Sequence, residues 1–185
     1  MTTERTLVER NADFAADFHF ADLEIRPRMS TLIIGCVDSR VDPAHLLSLV
    51  LGDAVVLRNV GGRVTDEVIQ QVKILQSIGL MIADGGTFDF NVALIHHTGC
   101  GASLFSMPHV SDALTAALDT GSSVIESLAI TDPHESIHND IDRLRAAAIL
   151  PDDLVVAGYV YDVDDGHLDQ VAVRAPLRAT VGIST

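Results

Sequence analysis

Thr31-Leu-Ile-Ile-Gly-Cys-Val-Asp-Ser-Arg40 decides the fold: an apolar run from Thr31 to Cys36 gives way abruptly to a polar segment. The same pattern returns at Ala54-Val-Val-Leu-Arg-Asn59 and at Asn91-Val-Ala-Leu-Ile-His96. Runs this short and this continuously apolar predict strands buried on both faces, as in a parallel sheet. Between the first two, residues 43–51 predict a helix with Asp42 as N-cap and Pro43 at the first helical position. Between the second and third, Val68, Val72, Leu75 and Leu80 recur at roughly helical spacing, which predicts a helix over 65–80 capped by Thr65.

Farther along, residues 111–118, 124–130 and 134–148 predict helices. The last places Ile137, Ile141, Leu144 and Ala148 on one stripe, and its interleaved charges predict a solvated face. Two strand patterns, 153–161 and 167–173, flank Asp162-Val-Asp-Asp-Gly166, whose Asp-Gly pair signals a hairpin, so the final strand runs antiparallel to its neighbour. The fold class is therefore α/β: a mainly parallel sheet with one antiparallel edge strand, covered by helices on both faces. Leu7, Phe14 and Phe18 lie roughly on one side of residues 6–20, a segment with no sheet partner in this scheme. Residues 1–25 are expected to form a helical arm that packs on the body or on a partner subunit. With no internal repeat and no linker, residues 1–185 read as a single domain.

Twelve basic against 26 acidic residues give a net charge of −14, which repels phosphate backbones and anionic bilayers; neither nucleic acid nor a membrane is expected as partner. No apolar stretch approaches the roughly 20 residues that span a bilayer. The N-terminus mixes charges and lacks the apolar segment of a secretory signal, so the expected location is cytoplasmic. In that reducing compartment the two cysteines, Cys36 and Cys100, are expected as thiols rather than a disulfide.

Both cysteines follow predicted strands: Cys36-Val-Asp-Ser-Arg40 the first, His97-Thr-Gly-Cys100 the third. Ligands of open α/β sheets bind outside the carboxyl ends of strands, so Cys36, His97 and Cys100 are expected to converge on one crevice. Two thiolates and one imidazole suit Zn2+, and three protein ligands leave the fourth tetrahedral position for water, as in a catalytic site. In an extended segment, Asp38 and Arg40 project to the same side as Cys36. A guanidinium holding a carboxylate keeps it oriented and ionised. Asp38 can then accept a hydrogen bond from zinc-bound hydroxide, or occupy the fourth zinc position itself in a closed state.

Cys-x-Asp-x-Arg followed by His-x-x-Cys, at 36–40 and 97–100, resembles the β-class carbonic anhydrases. Gly52-Asp-Ala-Val-Val-Leu-Arg-Asn-Val-Gly61 and Gly158-Tyr-Val-Tyr-Asp-Val-Asp-Asp-Gly-His-Leu168 are similar to further segments of that family, in the same order. The resemblance implies zinc on Cys36, His97 and Cys100, an Asp38–Arg40 pair, and an active site completed at a homodimer interface, with higher homo-oligomers possible. It implies hydration of carbon dioxide to bicarbonate by attack of zinc-bound hydroxide, with the Gly101 amide orienting a substrate oxygen. The paired His96-His97 and Gly61-Gly62 resemble one subgroup, which also contains carbonyl sulfide hydrolases; that hydrolysis is the alternative activity. A non-enzymatic zinc-binding relative, with Asp38 permanently closing the metal, is a third reading.

Two departures from the family stand out. Gly99 replaces an acidic residue that many members carry before the second cysteine, and the link at 83–90 is longer than usual. Phe88 and Phe90 within that link are expected to reshape the pocket or the dimer contact. His96, pointing away from His97 along a strand, is expected to be a satisfied core or interface histidine. His45, His109, His134, His138 and His167 are expected at the surface, as are Asp162, Asp164 and Asp165 of the hairpin. Arg58-Asn-Val-Gly-Gly62 lacks the spacing of a phosphate loop and is expected to be a turn beside the zinc crevice.

Overall fold

The computed structural model describes residues 3–83 and 88–178. Helix α1 (Thr3–Ala16) precedes β1 (Thr31–Cys36), α2 (Pro43–Leu46), β2 (Val55–Asn59), α3 (Asp66–Ile82) and β3 (Asn91–His97). Then come α4 (Pro108–Leu118), α5 (Ser122–Leu128), α6 (Pro133–Ala146), β4 (Val155–Tyr161) and β5 (Leu168–Pro176). The five strands form one sheet in the order β2-β1-β3-β4-β5. Its first four strands are parallel and β5 is antiparallel to β4, as the alternation of patterns and the Asp-Gly signal predict. The hairpin turn closes with Gly166 N–H donating to Asp162 O at 2.9 Å, and Gly166 sits at φ 78°, where glycine is free of strain.

The two caps expected from sequence are present. The Asp42 side chain accepts from Ala44 N–H at 2.9 Å and the Thr65 hydroxyl from Val68 N–H at 3.4 Å. Yet α2 ends at Leu46 instead of running to residue 51, because Ser48 takes a left-handed conformation, φ 52°, that an α-helix cannot continue. At α6 the cap is Asp132, which accepts from His134 N–H at 2.8 Å, with Pro133 opening the helix.

Helices α3 and α6 both pack on the same face of the sheet. Val68 and Val72 of α3 and Ile137, Ile141 and Leu144 of α6 share one core with Leu32, Ile34, Leu94 and Val156. Burying each such side chain contributes about 1.5–3 kcal/mol. Gly158 of β4 permits the close approach of α6, since a Cβ there would lie 2.2 Å from Ile137 Cγ2. The expected cover on both faces is thus only half realised: the other face carries short α2 and a groove of about 430 Å³ lined by Met29, Leu47, Ala93, Ile95, Ala157 and Tyr159. Leu7, Phe14 and Phe18 of the arm are 62%, 48% and 50% exposed, and Phe14 and Phe18 pack against each other and against Phe20. No helix among the described residues is long and apolar enough to cross a membrane.

Of the long link, residues 84–87 lie outside the described residues. Phe88 and Phe90 sit at the amino end of β3, where Phe90 joins the α3 core and Phe88 lies under the Arg26 guanidinium. The whole length of β3, about 20 Å at 3.3 Å per residue, separates them from His97. They therefore do not line this chain's own crevice, so of the two expected roles, reshaping the pocket or the dimer contact, the first is not met within the chain.

Candidate metal centre

Strands β1 and β3 are parallel neighbours, with Gly35 opposite Ile95, so Cys36 and His97 emerge at the same carboxyl edge. A turn through Thr98 and Gly99 brings Cys100 back beside them. Gly99 has φ 61°, a left-handed conformation in which aspartate is among the better-tolerated L residues, and a Cβ there would meet only Val163 at 3.7 Å.

Cys36 Sγ and Cys100 Sγ lie 3.8 Å apart, and with a His97 ring nitrogen they form a buried cluster whose ligand atoms are all within 4.8 Å of one another. Two sulfurs at about 2.3 Å from a tetrahedral zinc would be about 3.8 Å apart, so the sulfur spacing fits that ion. His97 Nδ1 is 2.9 Å from the Thr98 carbonyl, which can only accept, so Nδ1 carries the proton and Nε2 keeps its lone pair. That Nε2 is buried without a hydrogen-bond partner among the described residues. An orphaned imidazole nitrogen beside two buried sulfurs is the donor set a zinc ion requires.

The contact with the Cys100 thiol, with the His97 imidazole and the Asp38 and Gly61 amides nearby, brings the Cys36 pKa down to about 4 against the opposing effect of burial. Cys100 is pushed up by the same contact and by burial. Zinc binds cysteine as the thiolate, so occupation of this pair releases protons.

The segment after Cys36 is not extended: Val41 N–H donates to Asp38 O at 3.1 Å, closing a turn. The Asp38–Arg40 pair forms within it. Arg40 Nε and Nη2 reach Asp38 at 3.0 and 2.7 Å, the Arg40 amide donates to Asp38 Oδ1 at 2.9 Å, and Nη2 also donates to Gly99 O at 2.9 Å. These bonds hold the Asp38 carboxyl well below the usual carboxylate range. Asp38 is absent from the cluster of clustered ligand atoms. Gly101 opens a short 3-10 turn, exposed, with nothing within 4 Å of where its Cβ would be.

Arg58, to which sequence reasoning gave no role beyond its turn, clamps this loop. It donates to Cys36 O at 2.8 Å, to Asp38 O at 2.6 Å and to Asp42 Oδ2 at 3.1 Å. The Gly61-Gly62 turn that follows lies under the ligand strand; a Cβ on Gly62, at φ 67°, would be 2.8 Å from the Gly35 carbonyl carbon. Val41, Ala102 and Ile130 pack with the two cysteines, joined by Leu46, Phe105 and Tyr161, making an apolar wall.

Of the other histidines, His45, His109, His134, His138 and His167 are exposed as expected, whereas His96 is fully buried but only partly satisfied, its Nε2 bonded and its Nδ1 without a hydrogen-bond partner among the described residues. The hairpin aspartates form no metal cluster among the described residues, although Asp162 is tied to the site loop through the Thr98 hydroxyl at 3.3 Å. A further expectation fails: the charges of α6 do not all face solvent, because Asp140 is completely buried against Arg63. The signal was present, since Asp140 falls three residues after Ile137 and four before Leu144, on the apolar stripe itself.

A sequence pattern described as carbonic anhydrase matches residues 31–168. Beta-carbonic anhydrase 1 of Mycobacterium tuberculosis is 28% identical over 174 residues, covering 92% of this chain and 99% of that protein. Carbon disulfide hydrolase of an Acidianus species is 26% identical over 159 residues, 74% of each chain. Among solved structures, carbonic anhydrase from Streptococcus mutans has a TM-score of 0.78 and 33% sequence identity, covering 92% of this chain and 98% of that one.

Proposed function

The chain belongs to the β-carbonic anhydrase family, and on that premise we propose that it interconverts carbon dioxide and bicarbonate at a zinc ion held by Cys36, His97 and Cys100. The observation that carries this reading is the ligand count. Two sulfurs and one orphaned nitrogen come together, while both oxygens of the neighbouring carboxylate are engaged by Arg40. Bound there, zinc supplies the Lewis acidity that makes water nucleophilic near neutral pH.

Asp38 accepts a hydrogen bond from the nucleophile and aims it at the carbon. Held ionised by Arg40, it is too weak a base to keep a proton at neutral pH, so the proton leaves to solvent. The wall of Val41, Ala102, Ile130 and Phe105 offers a linear, neutral substrate an apolar berth, and the Gly101 amide donates to a substrate oxygen. Closure of the metal by Asp38, as a non-enzymatic relative would need, requires those Arg40 bonds to break.

A second reading, carbonyl sulfide hydrolysis at the same centre, is favoured by the relative named carbon disulfide hydrolase. A wall of this kind separates such small substrates by only about 1–3 kcal/mol. One zinc-loaded preparation assayed for carbon dioxide hydration and for sulfide release from carbonyl sulfide tests both: kcat/KM far higher for the sulfur substrate overturns the first reading. We also propose a homodimer or higher homo-oligomer, supported by the apolar groove on the sheet face and by the exposed Phe14 and Phe18 of the N-terminal arm. The reduced thiols that the centre needs fit a cytoplasmic setting.

A further inference from the structure

Behind the metal centre, on the core side of the sheet, lies a second polar assembly. Arg63, His96 and Asp140 are all buried, the latter two completely. Arg63 donates to both Asp140 oxygens, at 2.9 and 3.0 Å, and to the Ala129 carbonyl at 2.7 Å. His96 Nε2 lies 3.2 Å from Asp140 Oδ2 and 3.3 Å from the Gly62 carbonyl. The carbonyl can only accept, so Nε2 carries the proton and is shared between the two oxygens. An ion pair this deeply buried is weak evidence of stabilisation, since a well-packed apolar replacement is often neutral or better.

Each end of the assembly touches the backbone that shapes the ligand set. His96 is covalently next to His97. Gly62, whose carbonyl His96 holds, lies against the backbone of Gly35 and Cys36, where a Cβ on it would be 2.8 Å from the Gly35 carbonyl carbon and 2.9 Å from the Cys36 nitrogen. Ala129, held by Arg63, precedes Ile130, which packs against the two cysteines. We propose that Arg63, His96 and Asp140 form a positioning network that sets the geometry of the metal centre from behind. His96 fixes the Gly61-Gly62 turn under Cys36, and Asp140 locks His96 to α6. The inference rests on the reading of Cys36, His97 and Cys100 as metal ligands.

Cobalt substitution tests it. Wild-type protein, His96→Phe, His96→Gln and a core control, Val72→Ala, are loaded with Co2+. The thiolate-to-cobalt absorption and the rate of metal loss to a chelator are then recorded beside each Tm. His96→Phe should shift the cobalt spectrum and release the metal at least about tenfold faster, in line with the loss typical when groups supporting metal ligands are removed. His96→Gln, which can still donate to Gly62 O, should restore most of the wild-type rate. Val72→Ala should lower Tm yet leave the spectrum unchanged. Wild-type-like spectrum and release in His96→Phe overturn the network, as does a shift of equal size in Val72→Ala. If His96→Phe does not fold, Asp140→Asn makes the same comparison, and unchanged release there is equally contrary. Failure of the wild type to bind one cobalt per chain would overturn the metal reading itself.

Discussion

Arg40 holds both carboxylate oxygens of Asp38, and its Nη2 also reaches the carbonyl of Gly99, immediately before Cys100. One guanidinium thereby ties the loop after β1 to the loop after β3, the two segments that carry the cysteines. Asp38→Asn keeps the size of the side chain but leaves a weaker acceptor that Arg40 no longer pairs with ionically. It should retain one zinc per chain while kcat/KM for carbon dioxide hydration falls by about 10²-fold or more. Metal analysis beside stopped-flow assays checks this; loss of zinc in parallel with activity would assign Asp38 to holding the metal.

Gly62→Ala should cost stability and the metal together. At φ 67° an L residue carries about 1–2 kcal/mol of strain, and its Cβ would press on the backbone at Gly35 and Cys36. Chemical denaturation and a zinc titration of the variant measure both effects. A variant with wild-type stability and zinc affinity would show that the turn does not bear on the ligand strand.

The cap of α6 gives a pH signature. Backbone amides of His134 and Glu135 donate to Asp132 and lower its carboxyl below the ordinary 3.8, so the cap stabilises the fold fully above the unfolded value. That contribution is lost as pH falls through the lower folded value. Wild type should therefore have a higher Tm than Asp132→Ala at pH 7, and the gap should narrow below about pH 4. A gap constant from pH 7 to pH 2.5 would mean that the carboxylate charge is not what caps the helix.

The arm should hold copies of the chain together. Replacing Phe14 and Phe18 by serine removes the exposed aromatic face of the arm, and light scattering should then report a smaller species than the wild type, whose chain mass is 19.8 kDa. A wild-type protein that is monomeric and fully active would contradict both the shared-site and the arm-exchange readings.

Much of the site was legible in the sequence because its chemistry is local. Cys36 follows one apolar run and His97 and Cys100 another, and a parallel sheet puts the ends of its strands together. The caps at Asp42 and Thr65 were equally readable, being set by neighbours two or three residues away. What escaped depends on distant contacts. Arg63 and Asp140 are 77 residues apart in the chain. The Arg58 clamp depends on two strands pairing in one register. The end of α2 is set by a left-handed Ser48 that apolar spacing through Leu51 conceals. The open sheet face follows from both long helices crossing to the same side, which strand and helix patterns alone do not determine.

The most direct test is stopped-flow hydration of carbon dioxide by the purified protein at pH 7 to 9, with zinc content measured on the same sample, for the wild type and His97→Ala. The expected result is one zinc per wild-type chain and hydration well above buffer, both lost in His97→Ala. A wild-type protein replete with zinc that never exceeds the buffer rate would contradict carbonic anhydrase activity, and undiminished activity in His97→Ala would contradict the placement of the centre.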